Sequence, residues 1–79
     1  MQVVYMLIQV KYGTITKVAD TLLSFKEIEN VHKLFGQYDV LIKIKMKDMR
    51  VIENFIDTNI RKIKEIERTE TLVVSDISS

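Results

Sequence analysis

The chain is short, nearly neutral and free of cysteine, and these features limit what it can be. Its 79 residues suffice for one domain, 1–79, with an expected core of 1–75 and a tail of 76–79. The lack of cysteine excludes a disulfide framework and a thiolate metal site. A net charge of +1 gives no reason to expect nucleic acid or membrane as a partner. The apolar run at residues 3–8 is too short to span a bilayer and lacks signal-peptide flanks, so we expect a cytoplasmic protein.

The first third of the chain is typical of a strand followed by an amphipathic helix. Residues 2–11 alternate between two faces that are both largely apolar, so we expect helices to cover one and a subunit interface to cover the other. After Gly13, apolar residues recur with helical spacing, with Thr14 or Thr16 as the expected N-cap and an end near Ser24. These apolar positions are Ile15, Val18, Ala19, Leu22 and Leu23.

The middle of the chain predicts a β-hairpin. A strand within 27–34 and a second strand, Val40–Met46, flank the polar break Phe35–Asp39. Gly36 is the residue that can adopt a positive φ angle in this turn. Asp39 lies at the exit of the turn, where its carboxylate can accept backbone N–H hydrogen bonds.

The last third predicts a second helix and a fourth strand. Asp48 is the expected N-cap of the helix. Its apolar stripe is Met49, Ile52, Phe55, Ile56, Ile60 and Ile63. On its outer face Asp57 can pair with Arg61, and Arg61 with Glu65. Residues 67–76 favour the fourth strand, which ends in the short tail.

The order βαββαβ predicts an α+β fold, the ferredoxin-like plait: a four-stranded antiparallel sheet with two helices on one face. The other face would be uncovered. We expect that face to form a dimer interface, by stacking of sheets as in a dimeric α+β barrel or by contact of sheet edges. The candidate interface residues are Tyr5, Leu7, Leu41 and Val73, with Leu72 as the alternative to Val73.

Catalytic residues are not apparent. The single histidine, His32, lies in a predicted strand without a second histidine or a cysteine, and neither glycine begins a phosphate-binding loop. Nor does the chain have the motifs of RNA-binding, metallochaperone or acylphosphatase-like plaits. We predict no enzyme activity, no catalytic or metal-binding residue and no cofactor.

Three segments of the chain resemble the RAM domain, the amino-acid-sensing module of the Lrp/AsnC family of bacterial and archaeal transcription regulators. Residues 5–10 are similar to its opening strand. Residues 28–43 resemble its hairpin and carry the family's Gly-x-Tyr-Asp signature at Gly36–Asp39. Residues 68–74 resemble its last strand and carry a Thr-x-Thr pattern at Thr69 and Thr71. The resemblance covers nearly the whole chain.

This resemblance implies dimers with packed sheets, further association into rings such as octamers, and a small amino-acid effector bound between dimers. By analogy the carboxylate of Asp39 would receive the ligand ammonium group. Other polar groups of the ligand would meet backbone amides around Gly36, Gln37 and Tyr38 and the hydroxyls of Thr69 and Thr71.

The chain begins at its first strand, where family members carry a helix-turn-helix domain. We therefore expect a stand-alone RAM domain that modulates transcription by co-assembly with full-length Lrp/AsnC-type regulators, without binding DNA directly. Two alternatives remain. One is a purely structural plait with a vestigial pocket. The other is a small dimeric α+β-barrel enzyme, which would need a deep cavity lined by Tyr5, His32 and an acidic residue.

Overall fold

The backbone follows the predicted βαββαβ order. The structure is a computed structural model that describes residues 1–75, so the expected tail of 76–79 lies outside the described residues. Its strands are β1 (Gln2–Val10), β2 (Ile28–Lys33), β3 (Val40–Met46) and β4 (Ile66–Val73). Its helices are α1 (Ile15–Leu23) and α2 (Met49–Phe55), and α2 continues into a π-helical turn, Ile56–Ile60. The α+β ferredoxin-like fold is confirmed.

The four strands form one antiparallel sheet in the order β2-β3-β1-β4. On its helix-covered face, Met6 pairs with Ile42 and Ile8 pairs with Val40, and all four side chains are buried. The helices add Val18, Leu22, Ile52, Phe55, Ile56 and Ile60 to the same core. The alternating pattern of β1 and β3 therefore predicted correctly which of their side chains lie under the helices.

The two helix starts differ in how they are capped. Asp48 caps α2 as predicted, because its Oδ1 accepts a hydrogen bond from the Val51 amide at 3.0 Å. Thr14 occupies the N-cap position of α1, but its hydroxyl donates to the Lys11 carbonyl oxygen at 2.7 Å. The hydroxyl therefore closes the preceding turn and does not cap the helix.

The second helix departs from the regular helix that its apolar stripe predicts. At the π-helical turn the Arg61 amide donates to the Ile56 carbonyl at 3.0 Å. The Asn59 side-chain amide donates to the Phe55 carbonyl at 3.2 Å, which gives that oxygen a partner inside the widened turn. Ile60 stays fully buried despite this change.

One of the two predicted surface ion pairs forms. Arg61 Nε contacts Asp57 Oδ1 at 2.8 Å, as the i+4 spacing predicts. The predicted pair between Arg61 and Glu65 is wrong, since the helical spacing ends at Ile60 and Glu65 instead bonds Lys17 Nζ at 2.9 Å. This hydrogen bond from Lys17 holds the pKa of Glu65 below its ordinary value.

Candidate functional site

The turn between β2 and β3 is closed by backbone geometry. The Leu34 amide donates to the Asp39 carbonyl at 2.8 Å, which brings the two ends of the turn together. Gly36 has a φ angle of 143°, so its predicted positive φ is confirmed. A Cβ atom at Gly36 would meet no atom within 4 Å. The requirement for glycine is therefore conformational and not steric.

Asp39 joins this turn to the central strand β1. Its amide donates to the Ile8 carbonyl at 2.9 Å, and its Oδ2 accepts from the Val10 amide at 2.8 Å. The prediction that this carboxylate accepts a backbone N–H bond is confirmed, and the donor lies 29 residues away in the chain. Because the bond uses Oδ2, the other oxygen, Oδ1, is the atom that could receive a ligand cation.

Two further contacts hold the turn across the uncovered face of the sheet. The Gln9 side-chain amide donates to the Gln37 carbonyl at 3.2 Å. The Tyr38 hydroxyl donates to Glu70 Oε1 on β4 at 3.1 Å. The turn Gly36–Asp39 is therefore tied to both β1 and β4, and its shape is set within one chain.

The two threonines of the Thr-x-Thr pattern lie on the other side of the sheet. Thr69 pairs with Ile8 and Thr71 pairs with Met6, and both partners point into the helix-covered core. Directly opposed residues of an antiparallel pair share a face. The six predicted ligand-binding residues thus fall into two groups on opposite faces, and one chain does not bring them together.

Thr71 lines a surface cleft of about 230 Å³ between the second helix and β4, here called the α2–β4 cleft. The other residues of the cleft are Met49, Glu53, Ile56, Asp57 and Arg61. Two carboxylates and a guanidinium therefore surround an apolar floor, an arrangement that can bind both the cationic and the anionic end of a zwitterion.

Sequence reasoning missed this cleft. It placed Asp57 and Arg61 on the outer face of the helix. Their i+4 spacing was visible in the sequence, and it correctly indicated one shared face. The sequence did not reveal that this face borders the edge strand β4.

The uncovered face of the sheet, called the open face from here on, carries an apolar group. Leu7 pairs with Leu41, and Tyr5 lies beside them on β1; all three side chains are half-buried. Leu72 pairs with Tyr5 and is 44% exposed, so it also belongs to the open face. Val73 pairs with Val4 and lies on the helix side, which corrects its expected place. The register of β4 against β1 therefore selects Leu72, and not Val73, as the residue of β4 on the open face.

The remaining chemistry-bearing residues do not converge. His32 pairs with Leu41 on the open face and is exposed, while Tyr5 pairs with Lys43. Within residues 1–75, no group of three histidine, aspartate or glutamate side chains is arranged to hold a metal ion. None of the helices in this part of the chain is long and apolar enough to cross a membrane.

Comparison with known proteins identifies one family. A family model described as the Lrp/AsnC ligand binding domain matches residues 3–78. The HTH-type transcriptional regulator FL11 of Pyrococcus furiosus is 36% identical over 70 residues, which cover 89% of this chain and 46% of that regulator. An uncharacterized HTH-type transcriptional regulator of Pyrococcus horikoshii, PH0140, is 24% identical over 75 residues. The chain spans about half the length of the curated relatives that it matches.

Solved structures agree with the fold. FFRP-DM1 superposes with a TM-score of 0.91 at 27% identity, covering 95% of this chain and 100% of that one. AsnC of E. coli gives a TM-score of 0.90 at 23% identity, over 96% of this chain and 52% of that one. The regulator NMB0573 of Neisseria meningitidis, solved in complex with L-Met, gives a TM-score of 0.86 at 13% identity. The superposition covers 95% of this chain and 50% of that one. At such identities the last two likenesses concern the fold alone.

Proposed function

The chain belongs to the Lrp/AsnC ligand binding domain family, and from this membership we propose that it is an effector-binding and oligomerisation module of transcription regulation. The proposed effector is a small amino acid. The matched curated relatives are HTH-type transcriptional regulators of Pyrococcus species, which also favours an archaeal source. The fold neighbour from N. meningitidis was solved in complex with L-Met, an amino acid, which is the class of ligand proposed here.

The observation that carries this proposal is the ordered turn Gly36–Asp39. A ligand site that is held rigid before binding loses less conformational entropy when the ligand arrives. Here the turn is fixed by the bond from the Val10 amide to Asp39 and by the bond from Tyr38 to Glu70. The Asp39 carboxylate and the backbone amides of 36–38 are the groups proposed to bind the ammonium and carboxylate ends of the effector.

The second half of the proposed site is the α2–β4 cleft. Thr71 lines this cleft, and Thr69 lies two residues earlier on the same face of β4. Because the two halves are on opposite faces of one sheet, a single small ligand would touch both only between two subunits. This supports the effector position that the family resemblance implies, between dimers.

The apolar open face is proposed as the surface that forms the dimer. Its residues Tyr5, Leu7 and Leu41 are half-buried in the single chain, and Leu72 adds exposed apolar area at its edge. Sheet-on-sheet packing would remove this surface from water. Co-assembly with a full-length Lrp/AsnC-type regulator, without direct DNA contact, is the proposed route to transcription.

A thermal-shift screen of the twenty amino acids, followed by calorimetric titration, tests the effector proposal. Ligand at 100 times its dissociation constant stabilises the native state by about 2.7 kcal/mol. We expect one or a few amino acids to raise the melting temperature. Asp39→Asn and Thr71→Val should each weaken that binding by about tenfold, the value of one lost polar contact.

The matched control is Asp48→Asn. Asp48 also bonds a backbone amide, at the start of α2, but it belongs to neither half of the proposed site. Its substitution should leave the dissociation constant unchanged. If no amino acid binds at millimolar concentration, or if both site variants bind as the parent chain does, the effector proposal is wrong.

A second candidate is an assembly module with a vestigial pocket, and a specific observation favours it. Asp39 and Tyr38 both have partners inside the chain, Val10 and Glu70, so the turn has a structural use without any ligand. A stable oligomer whose size and melting temperature do not change with any of the twenty amino acids would establish this second function.

A further inference from the structure

The first helix and the edge strand β2 enclose a second surface groove, here called the α1–β2 groove. Its volume is about 180 Å³. On its strand side, Val31 pairs with Ile42 and Lys33 pairs with Val40, and both partners are buried in the core. Val31 and Lys33 therefore lie on the helix-covered face. The groove shares no lining residue with the α2–β4 cleft, and β2 and β4 are the two opposite edges of the sheet.

The groove is mostly apolar and partly open to water. Five of its eight lining residues are aliphatic. The lining residues are Ile15, Thr16, Ala19, Asp20, Leu23, Val31, Lys33 and Val40. Leu23 is 62% exposed, whereas its neighbour Leu22 is fully buried. An apolar side chain laid in the groove would remove this part of Leu23 from water, which is favourable.

The two charged residues of the groove have opposite signs and are available to a ligand. Asp20 on α1 and Lys33 on β2 are both exposed. Neither takes part in the ion pairs formed within residues 1–75. A carboxylate and an ammonium group beside an apolar floor complement a zwitterion, whose ammonium group would meet Asp20 and whose carboxylate would meet Lys33.

The chain direction separates a charged end of the groove from an apolar end. Strands β1 and β2 are both antiparallel to β3, so they are parallel to each other. The connecting helix α1 runs in the opposite direction. Lys33, the last residue of β2, therefore lies towards the start of α1, and Leu23 lies at the other end with Asp20 between them. A ligand head at Lys33 and Asp20 would point its tail towards Leu23.

We propose that the α1–β2 groove is a separate binding site for one small aliphatic amino acid, with its side chain directed towards Leu23. Its volume lies below the roughly 300–1,000 Å³ of pockets for drug-sized ligands, which limits the occupant to a small molecule. All the groups that line it belong to one chain. The site is therefore complete without a partner subunit, unlike the proposed effector site, and it goes beyond the proposed function.

Methyl NMR of the full chain, labelled at isoleucine, leucine and valine, tests the site directly. Titration with L-leucine should shift the methyl signals of Ile15, Leu23 and Val31 and leave those of Leu7 and Leu41 on the open face unchanged. For a groove half open to water we expect a dissociation constant on the order of 1–10 mM.

Two other probes test the two parts of the ligand. Glycine has both charges but no side chain, and N-acetyl-L-leucinamide has the side chain but neither charge. Each should bind at least about threefold more weakly than L-leucine, because each loses one kind of contact. If N-acetyl-L-leucinamide binds as tightly as L-leucine, the recognition of a zwitterion is refuted.

Three variants test the groove from the protein side. Ala19→Met fills the groove without a change of charge and should weaken L-leucine binding about tenfold or more. Asp20→Asn and Lys33→Gln should each weaken it about two- to fivefold, since exposed ion pairs are weak. Lys62→Gln is the matched control, because Lys62 is exposed and lines neither the groove nor the α2–β4 cleft.

The outcomes distinguish this site from the proposed effector site. Binding in the groove should have the same dissociation constant at every protein concentration and should persist in Asp39→Asn. If L-leucine shifts only signals near Asp39 and Thr71, the groove proposal is refuted and the proposed function stands. Groove methyl signals that stay unshifted at tens of millimolar L-leucine, or an Ala19→Met variant that binds like the parent chain, would also refute it.

Discussion

Replacing Asp39 by alanine should destabilise the fold by about 2 kcal/mol. The carboxylate accepts a hydrogen bond of 2.8 Å from the Val10 amide, and Val10 is only 7% exposed. A hydrogen bond to an ionised group contributes roughly 1.5–3 kcal/mol net. Leaving a buried amide unsatisfied costs about 1–3 kcal/mol. These two figures describe the same loss, so they are not added.

Two other variants separate the charge of Asp39 from its geometry. Asp39→Asn keeps an oxygen that can accept from the Val10 amide, so its cost should be about half as large. Asp48→Ala removes an aspartate bond to a backbone amide at an exposed helix start, where N-cap losses are about 1 kcal/mol. The expected order of stability loss is Asp39→Ala, then Asp39→Asn and Asp48→Ala at similar values.

Urea unfolding at one fixed protein concentration measures these differences, with circular dichroism as the signal. For a domain of this size, 2 kcal/mol corresponds to a melting temperature about 8–16 °C lower. If Asp39→Ala is no less stable than Asp48→Ala, the bond to Val10 does not hold the turn. If Asp39→Asn is as damaging as Asp39→Ala, charge and not hydrogen bonding is the important property.

Three further predictions follow from single contacts. Gly36→Ala should cost about 1–3 kcal/mol in urea unfolding, because a residue with a Cβ atom is strained at a φ of 143°; an unchanged midpoint would contradict this. The Lys17 bond lowers the pKa of Glu65 below 4.5, so its stabilisation is present above that pH and is lost as the pH falls through the lower, folded-state pKa. Lys17→Met should therefore reduce stability at pH 7 and have no effect in strong acid, and an equal effect at both pH values would refute it. Leu7→Asp on the open face should shift sedimentation towards monomers, and a parent-like profile would argue against sheet packing there.

The sequence was sufficient to predict the fold because each element carried a strong local signal. The alternation in β1 and β3 specified which side chains are buried, since successive residues of a strand point to opposite faces. Asp48 and Gly36 acted through purely local rules, the N-cap bond and the positive φ angle. Neither rule depends on what another part of the chain does.

The site could be predicted only in part, because its geometry depends on pairing between distant segments. Val73 was expected on the open face, yet the register of β4 against β1 places it on the helix side and Leu72 on the open face. The π-helical turn shifts the residues after Phe55, so the predicted Arg61–Glu65 pair does not form. The register between two strands and the widening of a helical turn depend on contacts with distant parts of the chain, so no local sequence pattern specifies them.

The division of the candidate site between two faces would tie the proposed effector binding to assembly. Glu70 points to the open face and bonds Tyr38 of the turn, while its neighbour Thr71 points into the α2–β4 cleft. Successive residues of a strand point in opposite directions, so no movement of side chains brings the two halves together within one chain. A ligand that touches both halves must therefore bind at a contact between chains. By linkage, such a ligand strengthens that contact, and the contact raises the affinity for the ligand by the same factor. The apparent affinity for the proposed effector should therefore change with the concentration of the protein.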